Sequence, residues 1–260
     1  DPSVGLTVAS HNGLCSNHIY SYSNEALKKK YMPDLTSGKS LGAWGLTEAV
    51  SGSDAAGMAT TADKKDGHYV LNGSKMFITQ GTVGGTYVVT AITDKAKGKK
   101  GISAFVLEKG MKGFTTAPIK HKLGMRSSDT AELIFDNVEV PAENLIGDEG
   151  AGFNQAMEIL NGGRIAIAAL SVGIAQGALD LALKYSKERK QFGKSLSEFQ
   201  GIQFKLSDLA VEVEAARLLT LRAAKLKDEK KPFAMEASMA KYFASEAACK
   251  ATTESLQIHG

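Results

Sequence analysis

Apolar residues in this chain keep two different periods, and the change falls near Gly147. From about Leu41 to Gly147 they come in short runs spaced by two, at Thr86 to Ile92, Ile102 to Leu107, Phe114 to Pro118 and Ala131 to Val140. A period of two puts alternate side chains on one face of a strand. Tyr69 to Leu71 and Lys75 to Thr79 flank Asn72-Gly73, which predicts a hairpin, because a type I′ turn needs positive φ at both central residues. Glycine-rich connections and the lack of an intervening helix predict an antiparallel sheet packed on itself, or a barrel, and argue against a βαβ dinucleotide fold.

After Gly147 the spacing becomes 3 and 4. Ala168, Val172, Ala175, Leu179 and Ala182 share one helical face; Ile202, Leu206, Leu209, Val213 and Ala216 share another. A third helix runs from about Pro232 through Met235, Met239 and Phe243. Small residues along the first helix suit an antiparallel bundle. Ser197 with Gln200 resembles a capping box for the second helix. Gly162-Gly163 interrupts the first at a cost of about 2 kcal/mol against alanine, so a packing or ligand reason is expected. Residues 1 to about 40 read as helical, with Ser23 or Asn24 capping a short helix that Pro33 ends. The fold class is therefore α+β, with segments 1–40, 41–147 and 148–260.

The net charge is +3, from 31 basic and 28 acidic residues, so nucleic acid or a membrane surface is not expected as a partner. No run reaches the ~18 apolar residues of a membrane span. Cys15 and Cys249 lie far apart and read as reduced thiols of a cytosolic or matrix-like compartment. The chain opens on Asp1 and stops at Gly260 while a helical pattern is still running, so an internal piece of a longer protein is expected.

Chemistry concentrates in Gly45-Leu46-Thr47-Glu48-Ala49-Val50-Ser51-Gly52-Ser53-Asp54-Ala55-Ala56-Gly57. An apolar strand end runs there into a loop of glycines, which let backbone approach a ligand, and of hydroxyls, which suit a phosphate or polar heterocycle. A solvent-facing turn is the plainer alternative. Other motifs carry less. Gly38-Lys39-Ser40 and Gly193-Lys194-Ser195 lack the first P-loop glycine, replaced by Pro33 and Glu188. Gly147, Gly150 and Gly152 read as a linker and helix start rather than a Rossmann turn. His11, Cys15 and His18 match no zinc spacing, and no metal site is expected.

The string G-L-T-E-x-x-S-G-S-D-x-x-G resembles the first signature of the acyl-CoA dehydrogenases, FAD enzymes that desaturate fatty acyl thioesters. The resemblance continues through Leu71-Asn72-Gly73-Ser74-Lys75, Lys122-Leu123-Gly124-Met125-Arg126, Glu188-Arg189-Lys190-Gln191-Phe192-Gly193 and Gln257-Ile258-His259-Gly260. It is nearest to the short-chain, butyryl-CoA type. The resemblance implies that Trp44, Leu46 and Thr47 line the pyrimidine side of the flavin. It places Thr79 at the reactive N5 region, and Gly52 and Ser53 at the pyrophosphate, with Ser53 also near the pantetheine of CoA. Phe77 and Thr79, two apart on a strand, share a face and offer a stacking wall beside a hydroxyl. A half-buried strand with a core Phe and a surface Thr accounts for them equally well.

By the same resemblance Asn161 and Arg164 lie near the CoA portion, and Leu6 to Leu14 wall the acyl pocket. Arg189, Phe192, Gln200 and Gln257 to Gly260 reach the FAD of a second subunit, which implies a homo-oligomer built as a dimer of dimers. Read without it, Arg189 closes a helix, Phe192 anchors a loop and Gln200 caps. Some branched-chain members carry their catalytic glutamate where this chain has Gly163; the short-chain type has it in a later Glu-Gly-Thr segment that residues 1–260 do not reach. No catalytic base is therefore expected here. Implied partners are an acyl-CoA substrate and an electron-transferring flavoprotein, in bacterial cytoplasm or mitochondrial matrix. An acyl-CoA oxidase or flavin monooxygenase of the same fold, or a flavin-free scaffold, remains an alternative.

Overall fold

The computed structural model describes residues 1–260, which form two compact units, Ser3–Leu160 and Asn161–Gly260. The first begins with α1 (Pro2–Ser10), continues through a π-helical stretch (His11–Ser16) into α2 (Asn17–Tyr22), and adds α3 (Glu25–Thr36). Asn24 caps α3 by accepting from the Leu27 amide at 2.9 Å. Pro33 does not end that helix. It sits inside the last turn, and the helix closes at Thr36.

The sheet comprises β1 (Gly42–Gly45), β2 (Thr61–Lys65), β3 (His68–Thr79), β4 (Thr86–Ile92), β5 (Ile102–Glu108), β6 (Phe114–Pro118) and β7 (Thr130–Pro141). Their order is β1-β4-β2-β3-β7-β6, with β5 on the free side of β4. Most pairings are antiparallel as expected, but β1 runs parallel to β4, and β2 touches β4 in parallel at Thr61 and Ile92. Those strands are far apart in sequence, so no hairpin constrains their direction. β4 and β5 are buried on both faces. Tyr87, Val89, Phe105 and Leu107 enter the interior of the sheet, while Val88, Ala104 and Val106 meet the helices at Ile19, Leu27 and Leu35.

Asn72-Gly73 is not a turn. β3 runs unbroken through it, and the hairpin turns instead at Asp66-Gly67, with Gly67 at φ +79°. Opposite Asn72, β7 carries one extra residue, and Asn137 takes φ +51°. Asn72 Oδ1 accepts from the Asn137 amide at 2.8 Å, so the side chain that ordinarily closes a turn satisfies a bulge across the sheet. Gly73 passes so close to Thr60 that a Cβ would stand 2.6 Å from its Oγ1.

The long helix α4 (Gly152–Glu188) begins in the first unit and continues in the second, followed by the short hairpin β8 (Lys190–Gln191) and β9 (Lys194–Ser195), then α5 (Gln200–Asp228) and α6 (Ala234–His259). Gly162-Gly163 does not interrupt α4; Lys227 covers Gly162, where a Cβ would lie 3.0 Å from its Nζ. The second unit's core is largely alanine, with Ala168, Ala216, Ala237, Ala240 and Ala244 in one cluster. Met235 and Met239 face outward from α6. The capping box belongs to Ser195 and Glu198 on a 3₁₀ turn, not to Ser197 and Gln200, and Phe199 precedes α5. Contrary to the sequence reading, a stretch of α4 is long and apolar enough by composition to cross a bilayer. Its Ala175, Leu179 and Ala182 instead contribute to the core with Leu206, Leu209 and Val213 of α5.

Candidate active site

The signature loop leaves β1 and is fixed by a buried ion pair. Glu48 forms a tight turn with Ser51, their amides and carbonyls exchanging hydrogen bonds at 2.8 and 3.2 Å. Its carboxylate accepts from the Ala59 amide at 2.6 Å, the Thr60 amide at 3.1 Å and Lys75 Nζ at 2.7 Å. Burial pushes the Glu48 carboxyl up, but the Lys75 ammonium and these amides outweigh it and hold it below the usual carboxylate range. Lys75 also donates to the Leu46 carbonyl at 3.1 Å, so one ammonium ties the entry of the turn to β3.

A second bulge follows at once. Between the pairs Lys75 with Leu133 and Ile78 with Ala131, β3 has one residue too many, and Phe77 takes φ +61°. Met76, released from the ladder, donates its amide to the Thr47 carbonyl at 2.7 Å. The turn after Trp44 and the strand through Phe77 are thereby joined side by side. Phe77 and Thr79 do not share a face by simple alternation, because the bulge lies between Lys75 and Ile78 and breaks the period. Phe77 is 64% exposed, and its positive φ is unfavourable for an aromatic residue, a strain that clusters at ligand sites.

The other expected residues fall into three groups. Trp44 and Leu46 belong to the packed core, 8% and 7% exposed. Thr47 and Thr79 are half-buried, while Gly52 and Ser53 are exposed, with open space around the place a Cβ on Gly52 would take. In the second unit Arg164 donates to Asn161 Oδ1 across one turn of α4. Arg189, Phe192, Gln200, Gln257 and Gly260 are all exposed. Phe192 and Gly193 turn the β8–β9 hairpin at φ +52° and +79°, which holds the Phe192 ring 93% exposed.

Sequence reasoning passed over Lys75 and the full role of Glu48. A signal existed, since a lysine at an inward position of a strand demands an acid partner. His11, Cys15 and His18, which the sequence reads as parts of a packed helix, are all buried. In the structure, His11 donates through Nε2 to the Leu35 carbonyl at 3.0 Å and accepts the Gly42 amide at Nδ1 at 2.9 Å. His18 accepts the Trp44 indole N–H at Nδ1 at 2.9 Å. Burial raises the Cys15 thiol to about 12.

Family models for the acyl-CoA dehydrogenase N-terminal, middle and C-terminal domains match residues 1–39, 43–138 and 150–260. The chain is 50% identical over 261 residues to the short-chain specific acyl-CoA dehydrogenase of Megasphaera elsdenii, spanning 100% of this chain and 68% of the relative. The solved butyryl-CoA dehydrogenase of the same organism superposes with a TM-score of 0.98 at 49% identity, covering 100% and 68%. A chain from the structure of the electron transferring flavoprotein of Acidaminococcus fermentans gives 0.98 at 52% identity, covering 99% and 68%.

Proposed function

The chain belongs to the acyl-CoA dehydrogenase family, and we propose that it takes part in FAD-dependent α,β-dehydrogenation of a short-chain acyl-CoA to the trans-2-enoyl-CoA. The observation that carries this reading is the Met76–Thr47 hydrogen bond, which sets the signature turn beside an exposed, strained Phe77. These residues fit a flat tricyclic ring. Phe77 offers a plane for stacking, Thr47 and Thr79 offer hydroxyls, and Gly52 leaves room for a phosphate against backbone.

Bound FAD would supply an acceptor for the β-carbon's hydride and a route for the electrons to an electron-transferring flavoprotein. The chain's own part is to grip and orient. Thr79 is assigned to the ring's hydrogen-bonding edge, Trp44, Leu46 and Thr47 to the pyrimidine side, and Gly52 and Ser53 to the pyrophosphate. Ser53, Asn161 and Arg164 are assigned to CoA. Abstraction of the α-proton is assigned to no side chain among residues 1–260. We further assign Arg189, Phe192, Gln200, Gln257 and Gly260 to the FAD of a second subunit in a dimer of dimers; their exposure supports this. The setting is bacterial cytoplasm or mitochondrial matrix.

Titration with FAD tests the reading. The chain should quench flavin fluorescence and turn yellow, and Phe77→Ala should weaken it; a protein left colourless after FAD sinks the proposal. Turnover of butyryl-CoA by these 260 residues should be weak or absent, and a rate matching complete relatives would place a base within them. Slow reoxidation after anaerobic reduction and an oxygen pulse distinguishes a dehydrogenase from an oxidase.

A further inference from the structure

We propose that His18 is a positioning residue for the flavin site, fixing Trp44 and with it the end of β1 through a polar relay that starts at the Ile146 carbonyl. The inference rests on the flavin reading above and adds the device that holds one wall in place. Gln155, in the first turn of α4, donates through Nε2 to the Ile146 carbonyl at 3.1 Å. That bond orients the amide, so Oε1 faces His18 Nε2 at 3.1 Å and accepts its proton. With the proton on Nε2, Nδ1 is left as an acceptor, and it takes the Trp44 indole N–H at 2.9 Å.

Every link has only one workable direction, because an indole N–H can only donate and a carbonyl can only accept. The relay is also buried: His18 is 0% exposed and Gln155 6%. Gly147 makes room for it. At φ +66°, a Cβ there would stand 2.6 Å from Gln155 Nε2, so the glycine serves the amide as well as the turn. Trp44 lies two residues before Leu46 and three before Thr47, whose carbonyls receive Lys75 and Met76. The relay therefore anchors the loop from β1 as Lys75 anchors it from β3. Burial lowers His18 to about 4, which keeps the ring neutral and Nδ1 free to accept.

Because the chain has a single Trp, a proton–nitrogen NMR spectrum carries one indole N–H signal, that of Trp44. In the FAD-loaded protein it should lie downfield and exchange slowly with solvent. His18→Phe removes the acceptor but keeps a ring, and Gln155→Leu keeps His18 but releases its tautomer. Both should move the signal upfield, speed its exchange, weaken FAD binding about fivefold to tenfold and shift the flavin midpoint potential. An unmoved indole signal overturns the relay. A moved signal with wild-type FAD affinity and potential overturns the positioning role, and if His18→Phe fails to fold, Gln155→Leu decides. Trp44→Phe separates the two levels. If it leaves flavin affinity and potential unchanged, Trp44 is misplaced and the role of His18 falls with it; if it alone changes them, only the relay is wrong. A wild-type chain that binds no FAD overturns both.

Discussion

Lys75 Nζ lies 2.7 Å from Glu48 Oε1, with the two side chains 0% and 5% exposed. Taking both charges out of water is costly, and the site offsets this with further bonds to the Leu46 carbonyl and to the Ala59 and Thr60 amides. Removing one partner strands the other. Lys75→Met should cost about 3–5 kcal/mol in urea unfolding, while the double change Lys75→Met with Glu48→Met should cost clearly less than the sum of the singles. Additive losses would show that the pair is not coupled.

Phe77 gives an opposite pair of effects. Glycine adopts φ +61° without penalty, so Phe77→Gly should raise the stability of the flavin-free protein by about 1 kcal/mol, even though a large side chain is lost. FAD affinity should fall in the same variant. Parallel urea and flavin titrations check this, and a variant less stable than wild type would mean that the ring is a packing residue.

Acid sensitivity follows from His18. Its folded value, about 4, lies below the 6.5 of an ordinary imidazole, so the unfolded chain takes up a proton that the native state refuses. The contribution is whole above pH 6.5 and fades as the pH falls towards 4, by about 3 kcal/mol at most. His18→Phe should flatten the stability profile in that window. A slope identical to wild type would assign the sensitivity to other groups.

Gly73 tests the bulge opposite Asn137. A Cβ would meet Thr60 Oγ1 at 2.6 Å and its Cα at 2.8 Å, with φ at +138°. Gly73→Ala should cost about 2 kcal/mol or more, because backbone has to move. An unchanged thermal midpoint would show that the strand yields there.

Strands, helices and the signature turn were legible because each is written in local spacing. What escaped was settled across the sheet. Asn72-Gly73 carries the chemistry of a turn, but Asn137 offers Asn72 a partner 65 residues away, and no local rule weighs that bond. Phe77 and Thr79 were placed on one face by a count of two, and an inserted residue broke the count. Pro33 carries a stop signal, yet Ser37 still donates to its carbonyl at 3.1 Å and the last turn closes around it. For the site, the loop and strand stand out by their resemblance to the acyl-CoA dehydrogenase signature, while composition alone suits a plain turn equally well. Their attachment is not written locally, because inward Lys75 signals only that an acid is needed, and Glu48 supplies it from 27 residues away.

Met76 gives its amide to Thr47 and not to a neighbouring strand. The consequence is kinetic. The turn after Trp44 and the strand through Phe77 are tied to each other by this bond and by Lys75, so on the proposed reading a departing ring would leave their relative placement set for the next. Reloading of stripped protein should then follow simple second-order kinetics, with no slow unimolecular phase.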